Sequence, residues 1–267
     1  MLANLRKQTQ ETNWDDGRIA RFMDNSSAYQ IDLDSNVRLH LFAEENDNDN
    51  LQTIANECNS ILQWMQVKSG FTVNLWLLDW PRWIAKDEWP SRSSVNGGWT
   101  VKGSNTIFVY RKEEWQRVLI HETIHALGWD WSMPTQPLPC WGFTEKDTLY
   151  PHLFEAWTEL YAEWLYCGFY NRSWENQRAW QEEQALQILA RAHTLPNWKE
   201  DTNIFAYYVC KACLAPHIAF LWAFRNGQTE DEFSFVLCGL VKPKLRELEN
   251  RATQIVQRDI SMRMSLN

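Results

Sequence analysis

Residues Glu113–Gly128 read EEWQRVLIHETIHALG, with two histidines four residues apart and a glutamate directly after the first. Good helix formers, with apolar residues recurring among them, lead into the pair. On a helix, positions i and i+4 share a face, so His121 and His125 can grip a single ion. Glu122 is turned about 100° from His121, beside that ion, where it can take a proton from a water that the metal activates. This is the chemical logic of the HExxH zinc pattern. Val118, Leu119, Ile120, Ile124 and Leu127 surround the histidines, and a helix that is apolar nearly all round is buried. Buried histidines and a buried glutamate need partners, which a metal supplies. The bland alternative is a core helix with two hydrogen-bonded histidines. Gly128 is a natural helix stop.

Upstream of this helix the pattern has period two. NVRLHLFA (36–43), FTVNLWLLD (71–79), VNGGWTV (95–101) and TIFVYR (106–111) read as strands, with a helix from about 51 to 67 between the first two. Residues 81–94 read as a long loop with Trp83 and Trp89. Downstream the pattern is helical. After a Pro-rich loop (129–147), Pro151 opens and Gly168 closes PHLFEAWTELYAEWLYC. Further helices are expected over about 174–192, 202–225 and 244–258. Strands first and helices later point to an α+β fold. The expected organisation is a polar N-terminal arm (1–35), a sheet-containing lobe with the HExxH helix (36–130) and a helical lobe (131–267).

At 267 residues the chain can bury a sizeable core. Its net charge of −8 argues against a nucleic-acid or anionic-membrane surface. No apolar run reads as a bilayer span, and the first residues have no apolar leader, so an intracellular, cytoplasmic location is expected. Six cysteines are scattered in mostly apolar surroundings. They read as buried thiols of a reducing compartment, with disulfides left as the alternative. Cys210 and Cys213 form a lone CxxC inside an apolar stretch, which reads as packing. The 17 tryptophans run through the whole chain, so they read as core, with an aromatic groove for carbohydrate or peptide as the alternative.

A catalytic zinc keeps three protein ligands and one open position, so one more ligand is required. Glu155, Glu159 and Glu163 recur at i, i+4 and i+8 in the next helix. They are either a water-facing stripe of an amphipathic helix or the source of the ligand. HETIH followed some thirty residues later by EAWTE resembles the gluzincin, thermolysin-like zinc metallopeptidases. In that group a second helix carries E-A-x-x-D, whose first acid binds zinc and whose second orients a zinc-binding histidine. The resemblance covers about residues 96–166. It implies a zincin-like fold, one zinc per chain on His121, His125 and Glu155, and Glu159 as the partner of a histidine ring. Here a glutamate stands where the pattern has aspartate, and Phe154 where asparagine is common. HETIHALG also opens the pattern HExxHxxGxxH. Its third ligand position is Trp131, which cannot bind zinc, with Asp130 adjacent and out of register.

The resembled group pairs an extended substrate with an edge strand before the active-site helix. Gly97, Gly98 and Trp99 are the candidates, because glycines permit close backbone approach; a plain hairpin is the alternative. Tyr207 and Tyr208 are candidates to stabilise a tetrahedral oxyanion, with His193 and His217 also available. The expectation is a zinc-dependent peptidase in which Glu122 is the general base and a peptide or protein is the substrate. A zinc hydrolase of another amide or ester stays open, as does a protein clamped by structural zinc. Glu122 argues against the clamp, which needs no base. Oligomeric state is not legible.

Overall fold

The structure, a computed structural model, describes residues 17–43, 50–68, 70–100, 104–130, 153–194 and 200–266. It forms two compact units: Met1–Pro81 with Asn96–Trp129, and Arg82–Val95 with Asp130–Asn267. The chain runs through helix α1 (Arg18–Asn25), β1 (Ser27–Leu33), β2 (Val37–Ala43), α2 (Leu51–Trp64), β3 (Thr72–Leu78), β4 (Trp83–Ile84), β5 (Gly98–Thr100), β6 (Thr106–Arg111) and α3 (Trp115–Ala126). All of these except β4 belong to the first unit.

Five of the strands make a mixed sheet in the order β1-β2-β3-β6-β5. Its central pairs, β2/β3 and β3/β6, are parallel; the outer pairs, β1/β2 and β5/β6, are antiparallel. Alternation along the strands sorts the side chains onto two faces. Phe42, Trp76, Leu78, Phe108 and Tyr110 turn to one face and pack with Ile19 and Met23 of α1. Leu39, Leu41, Val73, Leu75, Ile107 and Val109, all buried, occupy the other face, against which α3 lies. The α+β reading therefore holds, with a mixed sheet followed in sequence by helices.

The N-terminal arm is corrected. Residues 18–33 form α1 and β1, and β1 pairs with β2 over its whole length, from Ser27↔Ala43 to Leu33↔Val37. An edge strand has one neighbour and buries little, so SAYQIDL carries polar residues on alternate, exposed positions and reads as irregular.

The second unit is mainly helical. It contains α4 (Leu153–Phe169), α5 (Trp174–Thr194), the segment Phe205–Arg225, which ends in α6 (Ile218–Arg225), then α7 (Glu230–Ala252) and β7 (Ile260–Ser261). β7 pairs antiparallel with β4, so part of the expected 81–94 loop is a two-residue strand. The segment after 204 opens with a π-helical stretch, Phe205–Cys210, and contains a 3₁₀ turn at Ala215–His217, beside Pro216. α7 starts fourteen residues before the expected 244. Pro243 lies inside it. The true start is a capping box: Thr229 Oγ1 accepts from the Glu232 N–H at 3.3 Å, and the Glu232 carboxylate accepts from the Thr229 N–H at 2.8 Å.

Cys58, Cys167, Cys210 and Cys213 are free and buried, whereas Cys238 is disulfide-bonded, which corrects the all-thiol reading. Burial pushes the Cys213 thiol up to about 12 and Cys210 well above its ordinary value. The CxxC is thus packed and unreactive. Phe205–Arg225, 21 residues, is long and apolar enough by composition to cross a membrane, so the expected lack of such a run is also corrected. Two-thirds of its apolar window is buried inside the protein, as in the core helix of a globular unit. The expectations for Trp131, Cys140 and Pro151 lie outside the described residues.

Candidate metal centre

α3 begins directly after β6, with Glu114 in the left-handed region (φ 60°) redirecting the chain. Ten of its twelve residues are buried, which is why its apolar residues point in every direction. His121 and Glu122 are each 6% exposed. The Nε2 atoms of His121 and His125 face each other at 3.0 Å, with the rings at 72°. One turn of helix has brought the two ring nitrogens to a common point, as the i, i+4 spacing requires.

On α4, Glu155 is half-buried, and Glu159 and Glu163 are 1% and 0% exposed. The water-facing stripe is thereby excluded for the latter two. The Tyr207 hydroxyl, from the π-helical stretch, donates to Glu155 Oε2 at 3.3 Å. His121 and His125 belong to the first unit and Glu155 to the second. Two imidazoles and a carboxylate are a donor set that suits zinc.

Glu159 faces Lys211, with Oε1 3.9 Å from Nζ. Lys211, fully buried, also pairs with Glu163 Oε1, while Glu163 Oε2 accepts from Gln181 and, at 2.9 Å, from Gln177. This network was missed at the level of sequence. Its signal was a lone lysine in the apolar stretch FAYYVCKACLA, because a buried ammonium requires a carboxylate. A second missed residue is Glu200, whose carboxylate accepts from the Phe205 N–H at 2.6 Å. Burial pushes its pKa up to about 7, backbone N–H groups of Phe205 and Ile204 pull it down, and Asp201 adds to the rise.

The substrate-side candidates separate. Among the described residues β5 is an edge strand of the sheet, paired with β6. A Cβ at Gly98 would stand 2.5 Å from the Phe108 carbonyl oxygen, 2.8 Å from Val118 Cγ1 and 3.1 Å from Glu122 Cγ. The glycine is thus required for close approach, but the approach is of α3 and its Glu122 to the strand. Trp99 is corrected. It lies on the α1 face, stacked on Phe108 at 4.4 Å and Trp76 at 5.7 Å, because neighbouring strand residues point to opposite faces. Tyr208 is corrected too: it is buried, and its hydroxyl donates to the Met262 carbonyl at 2.7 Å. Gly97 accepts on its carbonyl from the Tyr110 N–H, extending the β5/β6 pairing by one bond. His193 is exposed, and His217 is half-buried beside Pro216. Asp130 is buried, and its charge acts on the Arg225 guanidinium.

No protein-family model matches this chain, and neither a curated protein nor a solved structure is similar to it.

Proposed function

We propose that this chain is a zinc-dependent metallopeptidase of gluzincin character, with a zincin-like first unit, acting on a peptide or protein. The observation that carries the reading is the pair of ring nitrogens, His121 Nε2 and His125 Nε2, facing each other at 3.0 Å on one buried helix that also carries Glu122. Together with Glu155 they would hold one zinc, which would supply Lewis acidity toward a carbonyl and lower the pKa of a water. Glu122 shares the helix with both histidines, is not needed as a ligand, and would accept a proton from that water and deliver it to the leaving amine. Glu159, buried one turn along from Glu155, would orient a histidine ring. The Tyr207 hydroxyl, on Glu155, is the candidate donor to a developing oxyanion. The open edge of β5, drawn against Glu122 at Gly98, favours an extended peptide over a small ester or amide as the substrate.

Elemental analysis of protein purified under zinc-replete conditions is the test. About one zinc per chain is expected, and the absence of a stoichiometric metal contradicts the proposal.

A further inference from the structure

Three glutamates at i, i+4 and i+8 on one helix repel one another, and burying them makes that repulsion costly. On α4 the stripe Glu155–Glu159–Glu163 is met by a second stripe, Tyr207 and Lys211, on the segment that begins with the π-helical stretch. At one end, Lys211 Nζ binds Glu163 Oε1 and stands 3.9 Å from Glu159 Oε1. At the other end, the Tyr207 hydroxyl donates to Glu155 Oε2 at 3.3 Å. Lys211 is fixed from every side. It is 0% exposed and lies 5.4 Å from the Tyr208 ring centroid, and its main partner Glu163 is itself locked by Gln177 and Gln181 of α5. π-Helical turns inside helices are uncommon and shift everything after them in register. Here the turn places positions 207 and 211 opposite the first and last glutamates of the stripe.

We infer that Lys211 is a positioning residue: its buried pairing with Glu163 and Glu159 sets the register that puts the Tyr207 hydroxyl on Glu155. The consequence is a Glu155 carboxylate held in one orientation before any metal arrives. This rests on the proposed function, in which Glu155 is a zinc ligand. Residues that orient a metal ligand contribute about ten- to a hundredfold in affinity.

The test uses the full chain, with zinc affinity read by chelator competition and folding read by thermal melting. Tyr207→Phe removes only the hydroxyl, and it is expected to fold normally and bind zinc about tenfold more weakly. Lys211→Met leaves Glu163 buried without its cation and is expected to melt early. Lys211→Met with Glu163→Gln removes both charges, and is expected to regain most of the melting temperature while still binding zinc about tenfold more weakly. In that double variant, adding Tyr207→Phe is expected to cost nothing more, because the hydroxyl is already off Glu155. Wild-type affinity in Tyr207→Phe overturns the inference. So does wild-type affinity in the melting-competent double variant, which would reduce Lys211 to a counter-charge. A further loss on adding Tyr207→Phe overturns it as well. If the wild-type chain itself binds no zinc, the proposed function fails and takes this inference with it. If the wild type binds zinc and the variants match it, only this inference fails.

Discussion

Gly98 sets how closely β5 approaches α3 at Glu122. With a would-be Cβ at position 98 only 2.5 Å from a backbone oxygen, Gly98→Ala cannot be absorbed by a side-chain rotation. Either β5 or α3 has to move. The expected cost is about 2–3 kcal/mol of stability, measured by denaturant unfolding; an unchanged midpoint contradicts the close approach. The ligand set predicts a gradient in zinc affinity. Glu155→Ala removes one of three ligands and a charge, so severe weakening is expected. Glu159→Gln is expected to cost about ten- to a hundredfold. Asp130→Ala is expected to leave affinity nearly unchanged, since that carboxylate acts on Arg225. Chelator competition checks the series, and loss of metal from Asp130→Ala with retention in Glu155→Ala would invert the ligand scheme. At this scale the sequence was informative where spacing alone decides geometry: His121, Glu122 and His125 sit on one buried helix as their order requires. It misled at Trp99 and Tyr208, because an aromatic in a strand or an apolar helix carries no mark of which face it takes. The Lys211–Glu163 pairing escaped because the two residues lie 48 positions apart in the chain, and no local pattern says that they face each other.

Element boundaries followed the strength of each segment's pattern. β2, β3, β6 and α3 are buried on all sides or both faces, and their apolar runs located them closely. β1, with exposed alternate residues, left no such run, and α7 runs from Glu230 through Pro243, well ahead of the apolar stripe that marked it. The expected single helix over 202–225 instead begins with a π-helical stretch, for which side-chain periodicity gives no sign. That stretch is anchored by Glu200, whose burial gives a pH dependence. Glu200 titrates near 7 in the folded chain against an ordinary 4.5, so the folded state holds its proton more tightly than the unfolded state does. The associated stability is fully present below about 4.5 and is lost as pH rises through about 7, a span of about 3 kcal/mol at most. Glu200→Gln keeps an acceptor for the Phe205 N–H and removes the titration. Thermal melting of the variant is expected to show a flatter dependence between those pH values than wild type. An identical slope in the two proteins contradicts the assignment.

In the proposed function one chain supplies all the chemistry: α3 would bring two nitrogens and a base, and α4 a carboxylate. The fold class was legible because strands precede helices in the sequence. The pairing of β2, β3 and β6 in parallel was not, because parallel neighbours are set by crossovers rather than by any local signal. A metal that binds the folded chain alone also stabilises it by mass action, so chelation is expected to lower the melting temperature and added zinc to restore it. The central claim is that Glu122 performs hydrolysis of peptide bonds at a zinc held by His121, His125 and Glu155. Its most direct test is the cleavage profile of a complex peptide mixture treated with zinc-loaded wild type and, in parallel, with zinc-loaded Glu122→Gln, read by mass spectrometry. New peptide termini are expected with wild type and nearly none with the variant, which retains its fold and metal. Equal cleavage by both proteins, or no cleavage by a wild type that carries its zinc, would contradict the account.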